Sequence, residues 1–357
     1  MSHREQPLGW STRALRALAP NVSGLPRMLA WDRERSGRGS VHVLGRAPVN
    51  AELRRKLLDF EQRTVLTLSE GLDHYRVHDP VNAYYRACGP RCVTLVAEED
   101  GRVVATESLV VRRFRIPRRP PARFVYVTNV RVAPECRFGT VLARVHLAAL
   151  RWSFARCWAA FSIVPPMTSS PPRSRSGRFG IPTLRLATRC ARIEMTTDDA
   201  SPADLADRCV STERVVRRIH RILSRDLIAP IGGRPELRSS SPPVWIALPD
   251  ASACCCLEDF RRTKRIFRPD GTEVMWRSLS FFAARDTDAA LAICRVALAH
   301  AARLGPQGVK LMADSQLCHD IARRMTVRGP IIPMHVYASS VLHRLPNARW
   351  AFNVSEV

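Results

Sequence analysis

The sequence predicts an α/β (α+β) fold that contains two tandem units. Short apolar runs that are typical of strands are interleaved with longer amphipathic runs that are typical of helices. The order of these elements in the first half of the chain returns in the second half. The 357 residues are enough for two domains at ~150 residues each.

The first unit begins with a helix and a β-hairpin. Asn50 is a suitable N-cap for a helix over 51–70, in which leucines recur near helical spacing. The Asp100–Gly101 pair is typical of a tight turn, so residues 93–111 are predicted to form two antiparallel strands. Residues 123–132 alternate as a further strand, which ends before Pro134.

A helix and two strands complete the first unit. Val141, Val145 and Trp152 share one face of a predicted helix over 140–156. Residues 157–164 are predicted to be a buried strand, and residues 183–196 a further strand. The Pro- and Ser-rich residues 165–180 between them are predicted to form a loop.

The second half repeats this order with a helix over 289–304, a strand over 309–313, a short helix over 318–325 and a strand over 334–339. Pro182 and Pro333 lie 151 positions apart, and the helix centres at Val145 and Arg295 lie 150 positions apart. The matched offset indicates a tandem duplication. The predicted organisation is an N-terminal extension over 1–40, a first domain over 41–196, a linker over 197–212 and a second domain over 213–357.

The chain is strongly basic, with 56 Lys+Arg against 32 Asp+Glu and a net charge of +24. Such a charge raises nucleic acid or an anionic membrane as a partner. Arginine supplies nearly all of it, however, in a scattered pattern that is typical of a GC-rich genome, so a nucleic-acid partner is not favoured. The longest apolar stretch has eight residues, far below the ~20 that span a bilayer. No membrane span is predicted, and a cytoplasmic location is expected.

The eleven cysteines are predicted to be reduced thiols rather than a disulfide framework. Their number is odd, the chain is long, and no secretory signal precedes them. One spacing suggests zinc, but proline and glycine interrupt it, and no metal is predicted. The residues with that spacing are His74, His78, Cys88 and Cys92.

The junction over 130–142 is a candidate anion site. A strand ends at a proline, a short loop follows, and a helix begins with unpaired N–H groups and a positive dipole end. Gly139 allows close approach of the backbone to a phosphate, and Arg137 adds a charge-assisted contact. These residues predict a phosphate or another anion at the helix N-terminus.

At this junction the sequence resembles the GCN5-related N-acetyltransferase (GNAT) superfamily, as a divergent member. Val132-Ala-Pro134, Arg137, Gly139 and the helix match the superfamily's strand–loop–helix motif in order, although its two loop glycines fall on Thr140 and Leu142. The resemblance covers 41–195, with a degenerate second copy over 213–345. It implies two tandem GNAT-like units, each a mixed, mostly antiparallel twisted sheet flanked by helices. It also implies a gap between the strands after Val130 and after Cys157.

The resemblance further implies an acyl-CoA-dependent N-acyltransferase that moves acetyl from acetyl-CoA to an unidentified small-molecule or protein amine. The cofactor-binding residues it implies are Val130, Arg131, Val132, Arg137, Phe138, Gly139, Thr140, Val141 and Leu142. The acidic residue often found on the superfamily's fourth strand is replaced by Asn129. Asn129, Glu135 and Tyr126 are therefore the catalytic candidates, with Glu107 and His146 as further substitutes.

Two alternatives remain open from the sequence. One is a long-chain synthase of the N-acyl amino acid or homoserine-lactone type that uses acyl carrier protein, whose acidic surface would suit the +24 charge. The other is a catalytically inactive acyltransferase-like binding module, which the displaced glycine and the missing acidic base support. In the second unit Asp286 and Asp288 would repel a pyrophosphate, so this unit is expected to shape the cleft or a homodimer surface.

Overall fold

A computed structural model describes residues 39–45, 49–67, 73–136, 140–153, 159–166, 184–305, 308–339 and 349–351. Within them the helices are α1 (Ala51–Arg63), α2 (Ala83–Cys88), α3 (Val141–Ser153), α4 (Ala203–Arg208), α5 (Glu213–Leu223), α6 (Thr287–Arg303) and α7 (Ser315–Arg324). The strands are β1 (Gly39–Leu44), β2 (Leu66–Thr67), β3 (Asp73–Val77), β4 (Arg91–Glu99), β5 (Arg102–Ile116), β6 (Arg119–Val132), β7 (Ala159–Val164), β8 (Leu184–Thr196), β9 (Ala229–Ile231), β10 (Val244–Ala247), β11 (Ala253–Glu258), β12 (Arg265–Phe267), β13 (Arg277–Ala284), β14 (Gly308–Asp314) and β15 (Ile332–Ser339).

The helix predicted over 51–70 is shorter than expected. The side chain of Asn50 caps α1 as predicted, since its Oδ1 accepts a hydrogen bond from the N–H of Leu53 at 2.7 Å. The helix ends at Arg63, and the Thr64 hydroxyl donates back to the carbonyl of Phe60 at 2.7 Å. The β-branched residues that follow disfavour the helix, and Leu66–Thr67 pairs with β3 instead.

Twelve strands form one mixed, mostly antiparallel sheet in the order β1-β4-β5-β6-β7-β15-β8-β14-β13-β11-β10, with β9 added beside β5. Strands β12, β3 and β2 form a separate small sheet. Only two described pairs in the large sheet are parallel, β6 with β7 and β13 with β14. Each parallel pair is joined through one helix, α3 in the first unit and α6 in the second.

The two units exchange strands at the centre of the sheet. Strand β15, from the second half of the chain, lies between β7 and β8. Strand β8, from the first half, lies between β15 and β14. The units therefore share one continuous sheet. The linker predicted at 197–212 stays a prediction.

Both parallel pairs separate soon after they form. Strand β6 pairs with β7 only over Phe124–Tyr126, although β6 continues to Val132. Strand β13 pairs with β14 only over Arg277–Ser278, although β13 continues to Ala284. A gap between these strands is present, but its predicted position after Val130 and Cys157 is wrong, since β6 and β7 separate after Tyr126 and Phe161.

A one-residue bulge follows each point of separation. The three residue steps from Thr128 to Arg131 on β6 lie opposite only two steps on β5, between Ser108 and Thr106. Asn129 lies within this bulge and has a φ of 52°. The bulge changes which face the later residues occupy, because side chains alternate along a strand. Arg131 consequently pairs with Thr106, on the face of the sheet that Ser108 and Thr128 share.

Helices cover both faces of the sheet in the second unit. Cys255 and Leu257 of β11 belong to the apolar cluster that α6 and α7 complete. Cys254 and Cys256 belong to the cluster that α5 completes. The three consecutive cysteines thus divide between the two faces, as the alternation of a strand requires.

Candidate functional site

The opening between β6 and β7 leads from the centre of the sheet to the start of α3. After Tyr126 the edge of β6 no longer bonds to β7, so its backbone polar groups face the opening. The chain then makes a short turn over Pro134–Cys136 and enters α3, where the carbonyl of Thr140 accepts from the N–H of Arg144. The N–H groups of the first helical turn have no intrahelical acceptor.

The predicted cofactor-binding residues occupy different positions in this opening. Arg137, Phe138 and Gly139 lie outside the described residues, and their roles remain predictions. Val130 and Val132 are half-buried on β6, Val141 packs in the core, and Thr140 precedes the helix together with the partly buried Leu142. The side chain of Arg131 is buried on the face of Thr106, and its Nη1 contacts the carbonyl of Arg76 at 3.5 Å.

Tyr126 closes the inner end of the opening. Its ring stacks on that of Phe161, with centroids 4.9 Å apart and an interplanar angle of 21°. Phe114 packs edge-on against Phe161 at 5.2 Å and against Phe124 at 5.4 Å. We call these rings the aromatic floor, and they lie where β6 last pairs with β7.

The three catalytic candidates do not converge. Asn129 lies in the opening, where its carbonyl accepts from the hydroxyl of Thr106 at 3.1 Å. Its buried Oδ1 has no hydrogen-bond partner among the described residues. Glu135 is exposed in the turn before α3, whereas Tyr126 lies in the aromatic floor. Their catalytic roles remain predictions.

Glu107 and His146, the further substitutes, contact each other. His146 Nδ1 lies 2.6 Å from Glu107 Oε2, and both side chains are buried. Glu107 is one residue from Ser108 along β5, so it occupies the opposite face of the sheet, beneath α3. This pair therefore lies on the other side of the sheet from Arg131.

Sequence reasoning missed a buried chain of three polar residues. Glu61 Oε1 lies 2.7 Å from His78 Nδ1, and Glu61 Oε2 accepts from the backbone N–H of His78 at 2.8 Å. The other ring nitrogen of His78 lies 3.3 Å from the hydroxyl of Tyr85. A carboxylate only accepts hydrogen bonds, so Nδ1 carries the proton and Nε2 is left as an acceptor. No local pattern marks Glu61, because it lies among the charged residues of α1.

The electrostatics keep His78 neutral and Tyr85 protonated. Burial lowers the pKa of His78 against the opposing effect of Glu61, and the nearby Arg131 lowers it further. Burial raises the pKa of Tyr85, while Arg131 and a hydrogen bond with Ser108 act in the other direction. Ser108 pairs with Thr128, next to the bulge at Asn129, so this chain of residues ends close to the opening.

In the second unit, the helix beside the equivalent opening begins at an acidic residue. Asp286 caps α6, since its Oδ1 accepts from the N–H of Ala289 at 2.9 Å. This hydrogen bond is the main cause of the lowered pKa of Asp286. A cavity of about 330 Å³ lies between β13 and β14, with Asp286, Asp314 and Trp350 in its wall. In the second unit a carboxylate thus occupies the position before the helix that Thr140 occupies in the first unit. The expectation that the second unit binds no pyrophosphate stays a prediction.

No group of three or more His, Cys, Asp or Glu side chains in the described part of the chain is placed to hold a metal ion. None of the helices in the described ranges combines the length and the apolar character needed to cross a membrane.

Comparison with known proteins identifies the fold. No protein-family model and no curated protein sequence matches the chain. The structure of Saccharomyces cerevisiae N-myristoyltransferase with bound myristoyl-CoA and inhibitors matches at a TM-score of 0.56 and 10% identity, covering 84% of this chain and 80% of that one. A second structure of that enzyme, with bound myristoyl-CoA, matches at 0.55 and 10% identity, covering 84% and 82%. A GCN5-related N-acetyltransferase from Kribbella flavida matches at 0.46 and 12% identity, covering 85% and 72%.

The chain therefore shares the fold of N-myristoyltransferase. The particular arrangement is one sheet to which both halves of the chain contribute, with β15 of the second half and β8 of the first half exchanged at its centre. The fold class predicted from the sequence is confirmed, and the predicted resemblance to the GNAT superfamily is confirmed at the level of the fold alone.

Proposed function

We propose that this chain transfers an acetyl group from acetyl-CoA to an amine in the opening between β6 and β7. One observation carries the proposal. The parallel strands part after Tyr126, the freed edge of β6 runs on to Val132, and α3 begins at Val141. An exposed strand edge suits the amide groups of a pantetheine arm, and a helix N-terminus suits a pyrophosphate.

The aromatic floor favours a short acyl group. The stacked rings of Tyr126 and Phe161 fill the point where β6 and β7 meet, with Phe114 packed against Phe161. A long chain would have to displace these buried rings, which costs several kcal/mol of packing free energy, about 3–5 for one ring. An acetyl group needs no such displacement.

His78 and Tyr85 supply the proton transfers in this proposal. The amine nitrogen forms a C–N bond with the thioester carbonyl carbon, and the C–S bond breaks to release the thiolate. Tyr85 accepts the amine proton as it passes its own proton to Nε2 of His78, and Glu61 stabilises the imidazolium that forms. On release the thiolate takes up the proton that the imidazolium returns through Tyr85, so coenzyme A leaves as a thiol and His78 and Tyr85 regain their starting states.

The charge at the start of α3 provides the test. Thr140→Asp would place a carboxylate where Asp286 stands in the second unit, and Thr140→Asn is the neutral control of the same shape. Both substitutions provide an N-cap, so both variants are expected to fold. Titration calorimetry with acetyl-CoA should show binding to the wild type and to Thr140→Asn, and a loss of at least about 10-fold in Thr140→Asp. Absence of acetyl-CoA binding to the wild type would contradict the proposal.

The acyl length is tested in the same titration. Acetyl-CoA is expected to bind at least as tightly as myristoyl-CoA, because the floor excludes the longer chain. Tighter binding of myristoyl-CoA would favour the long-chain alternative, and acylated carrier protein would then be the next donor to test.

A further inference from the structure

Five cationic side chains meet on the face of the sheet that carries Tyr126. We call them the basic cluster, and they come from separate parts of the chain: Arg76 of β3, Arg131 of β6, Arg192 of β8, Lys264 before β12, and Lys310 of β14. Arg131, Arg192, Lys264 and Lys310 are each more than nine-tenths buried, and Arg76 is partly buried. Arg131 Nη1 lies 3.5 Å from the carbonyl of Arg76, and Arg192 and Lys310 share Glu194. The charge of Arg76 also lowers the pKa of each of the other four.

The cluster lies beside the residues proposed to move the proton. Arg131 follows the bulge that turns it onto the face of Ser108, to which Tyr85 is hydrogen-bonded. Lys264 Nζ lies 4.7 Å from the ring centroid of the neighbouring Tyr84. Arg131 and Lys264 both act on His78 electrostatically. The basic cluster and the Glu61–His78–Tyr85 chain therefore belong to one region.

The carboxylates in this region are already engaged. Glu194 Oε1 is shared by Arg192 Nη2 at 3.3 Å and Lys310 Nζ at 3.4 Å. Both oxygens of Glu61 are occupied by His78. Among the described residues, five basic side chains thus face two carboxylates, and neither carboxylate makes a hydrogen bond or ion pair with Arg76 or Arg131.

Several donors of the cluster have no partner. Nε and Nη2 of Arg131, and Nε of Arg192, are buried without a hydrogen-bond partner among the described residues. Arg76 donates through Nε to a ring nitrogen of His74 at 3.0 Å and makes no ion pair with a described carboxylate. Buried guanidinium groups without partners cost several kcal/mol of folding free energy unless an anion joins them.

The lowered pKa values of the cluster's side chains reflect the same shortage of negative charge. Burial is the largest cause of a lowered pKa at Arg131, to about 10, and at Lys310, to about 8. Burial and the neighbouring cations hold the pKa of Lys264 well below its usual range. A bound anion would reverse these shifts, since a nearby negative charge favours the protonated form of each group.

We infer that the basic cluster binds an anionic group, a carboxylate or a phosphate, carried by the amine acceptor. That the anion belongs to the acceptor rests on the proposed function; the anion site itself does not. Paired donors of Arg131 and Arg192 suit the two oxygens of such a group. An amine attached near the anion would lie beside Tyr85 and His78, which places the acceptor for transfer.

Anion binding can be measured without any acyl donor. Thermal unfolding of the full chain is followed with sodium malonate or inorganic phosphate, against sodium chloride at matched ionic strength. The wild type is expected to show a saturable rise in Tm with one or both anions. The more effective of the two indicates whether the acceptor carries a carboxylate or a phosphate. No rise beyond that in chloride would overturn the inference.

Two variants and a control make the result specific to the cluster. Arg131→Met should raise the Tm of the anion-free protein, because it removes a buried unpaired charge, and should weaken anion binding at least about 10-fold. Lys310→Met should weaken anion binding likewise, and it decides the matter if Arg131→Met does not fold. Arg55→Met, on the exposed face of α1, should respond as the wild type does. An undiminished response in both cluster variants, or an equal loss in the control, would overturn the inference.

Acetyl-CoA titration separates this inference from the proposed function. Lys310→Met is expected to bind acetyl-CoA as the wild type does, because Lys310 lies on β14, away from α3. If acetyl-CoA binds and the anions do not, only the inference fails. If the anions bind and acetyl-CoA does not, the proposed function fails and the anion site remains.

Discussion

Asn129 and Phe281 hold the same left-handed backbone conformation at equivalent points of β6 and β13, with φ of 52° and 51°. They lie 152 positions apart, and each comes three residues after its strand last pairs with its parallel neighbour. Asparagine tolerates this conformation, whereas phenylalanine rarely adopts it. The two units therefore share a left-handed residue at this point of the strand, although the side chains there are unrelated.

The bulge at Asn129 predicts an unequal response to two substitutions. Asn129→Gly should leave the free energy of unfolding within a few tenths of a kcal/mol, roughly, since glycine accepts a positive φ at no steric cost. Asn129→Val should lower it by about 1–2 kcal/mol, because a β-branched residue is strained there. Urea unfolding of both variants checks the difference. Equal stabilities would mean that the positive φ imposes no constraint.

Glu61 and His78 predict a change in the pH profile as well as in rate. His78→Gln should lower kcat about 100-fold while acetyl-CoA binding is unchanged. Glu61 raises the pKa of His78, so Glu61→Gln should move the acid limb of the kcat/KM profile to lower pH. A purely structural role for Glu61 would lower the amount of active protein and leave the profile in place.

His220 predicts an acid-sensitive contribution to stability. Burial, together with Arg115 and Arg217, lowers the pKa of His220 to about 4, against about 6.5 in the unfolded chain. Between these values the unfolded chain binds more protons, so stability falls as the pH drops from about 6.5 to 4. The loss is on the order of 3 kcal/mol and is complete below pH 4.

Replacing His220 tests this contribution. His220→Phe keeps an aromatic ring beside Phe281, whose centroid lies 5.7 Å from that of His220, and removes the titration. Unfolding measured at pH 7 and pH 4.5 should show a smaller pH-dependent loss than in the wild type. His319→Gln, an exposed control, should lose as much stability as the wild type.

For a buried ion pair, we expect that removing one partner lowers the free energy of unfolding and that replacing both partners restores most of it. Arg238 donates to both oxygens of Glu258, at 2.7 and 2.6 Å, with both side chains almost fully buried. Glu258→Ala leaves an unpaired guanidinium and should lower the free energy of unfolding by about 3–5 kcal/mol. The Arg238→Met/Glu258→Leu double variant should recover most of that loss. A double variant as unstable as Glu258→Ala would show that packing, not the stranded charge, dominates.

Local features of the fold could be predicted from the sequence. Asp100 and Gly101 have φ of 48° and 75°, the turn that their residue types predict between β4 and β5. Asn50 caps its helix as expected. The exchange of β8 and β15 could not be predicted, because it depends on pairings between distant residues such as Arg192 with Ile332.

The burial of the basic side chains could not be predicted from the sequence either, because it too depends on tertiary structure. Arg131 belongs to a strand whose alternation would place it beneath α3, and a single extra residue moves it to the other face. Lys264 and Lys310, two of only three lysines, are buried in the basic cluster although composition alone suggests surface charge. Their positions follow from tertiary contacts that no local pattern records.

The exchange of strands constrains how the two halves could have evolved after a duplication. Without β15, strands β7 and β8 would lose the neighbour that joins them, and without β8 the same is true of β15 and β14. Deleting either copy would therefore expose bare strand edges in the survivor. The exchange therefore constrains the backbone of both halves more strongly than it constrains the side chains beside their openings.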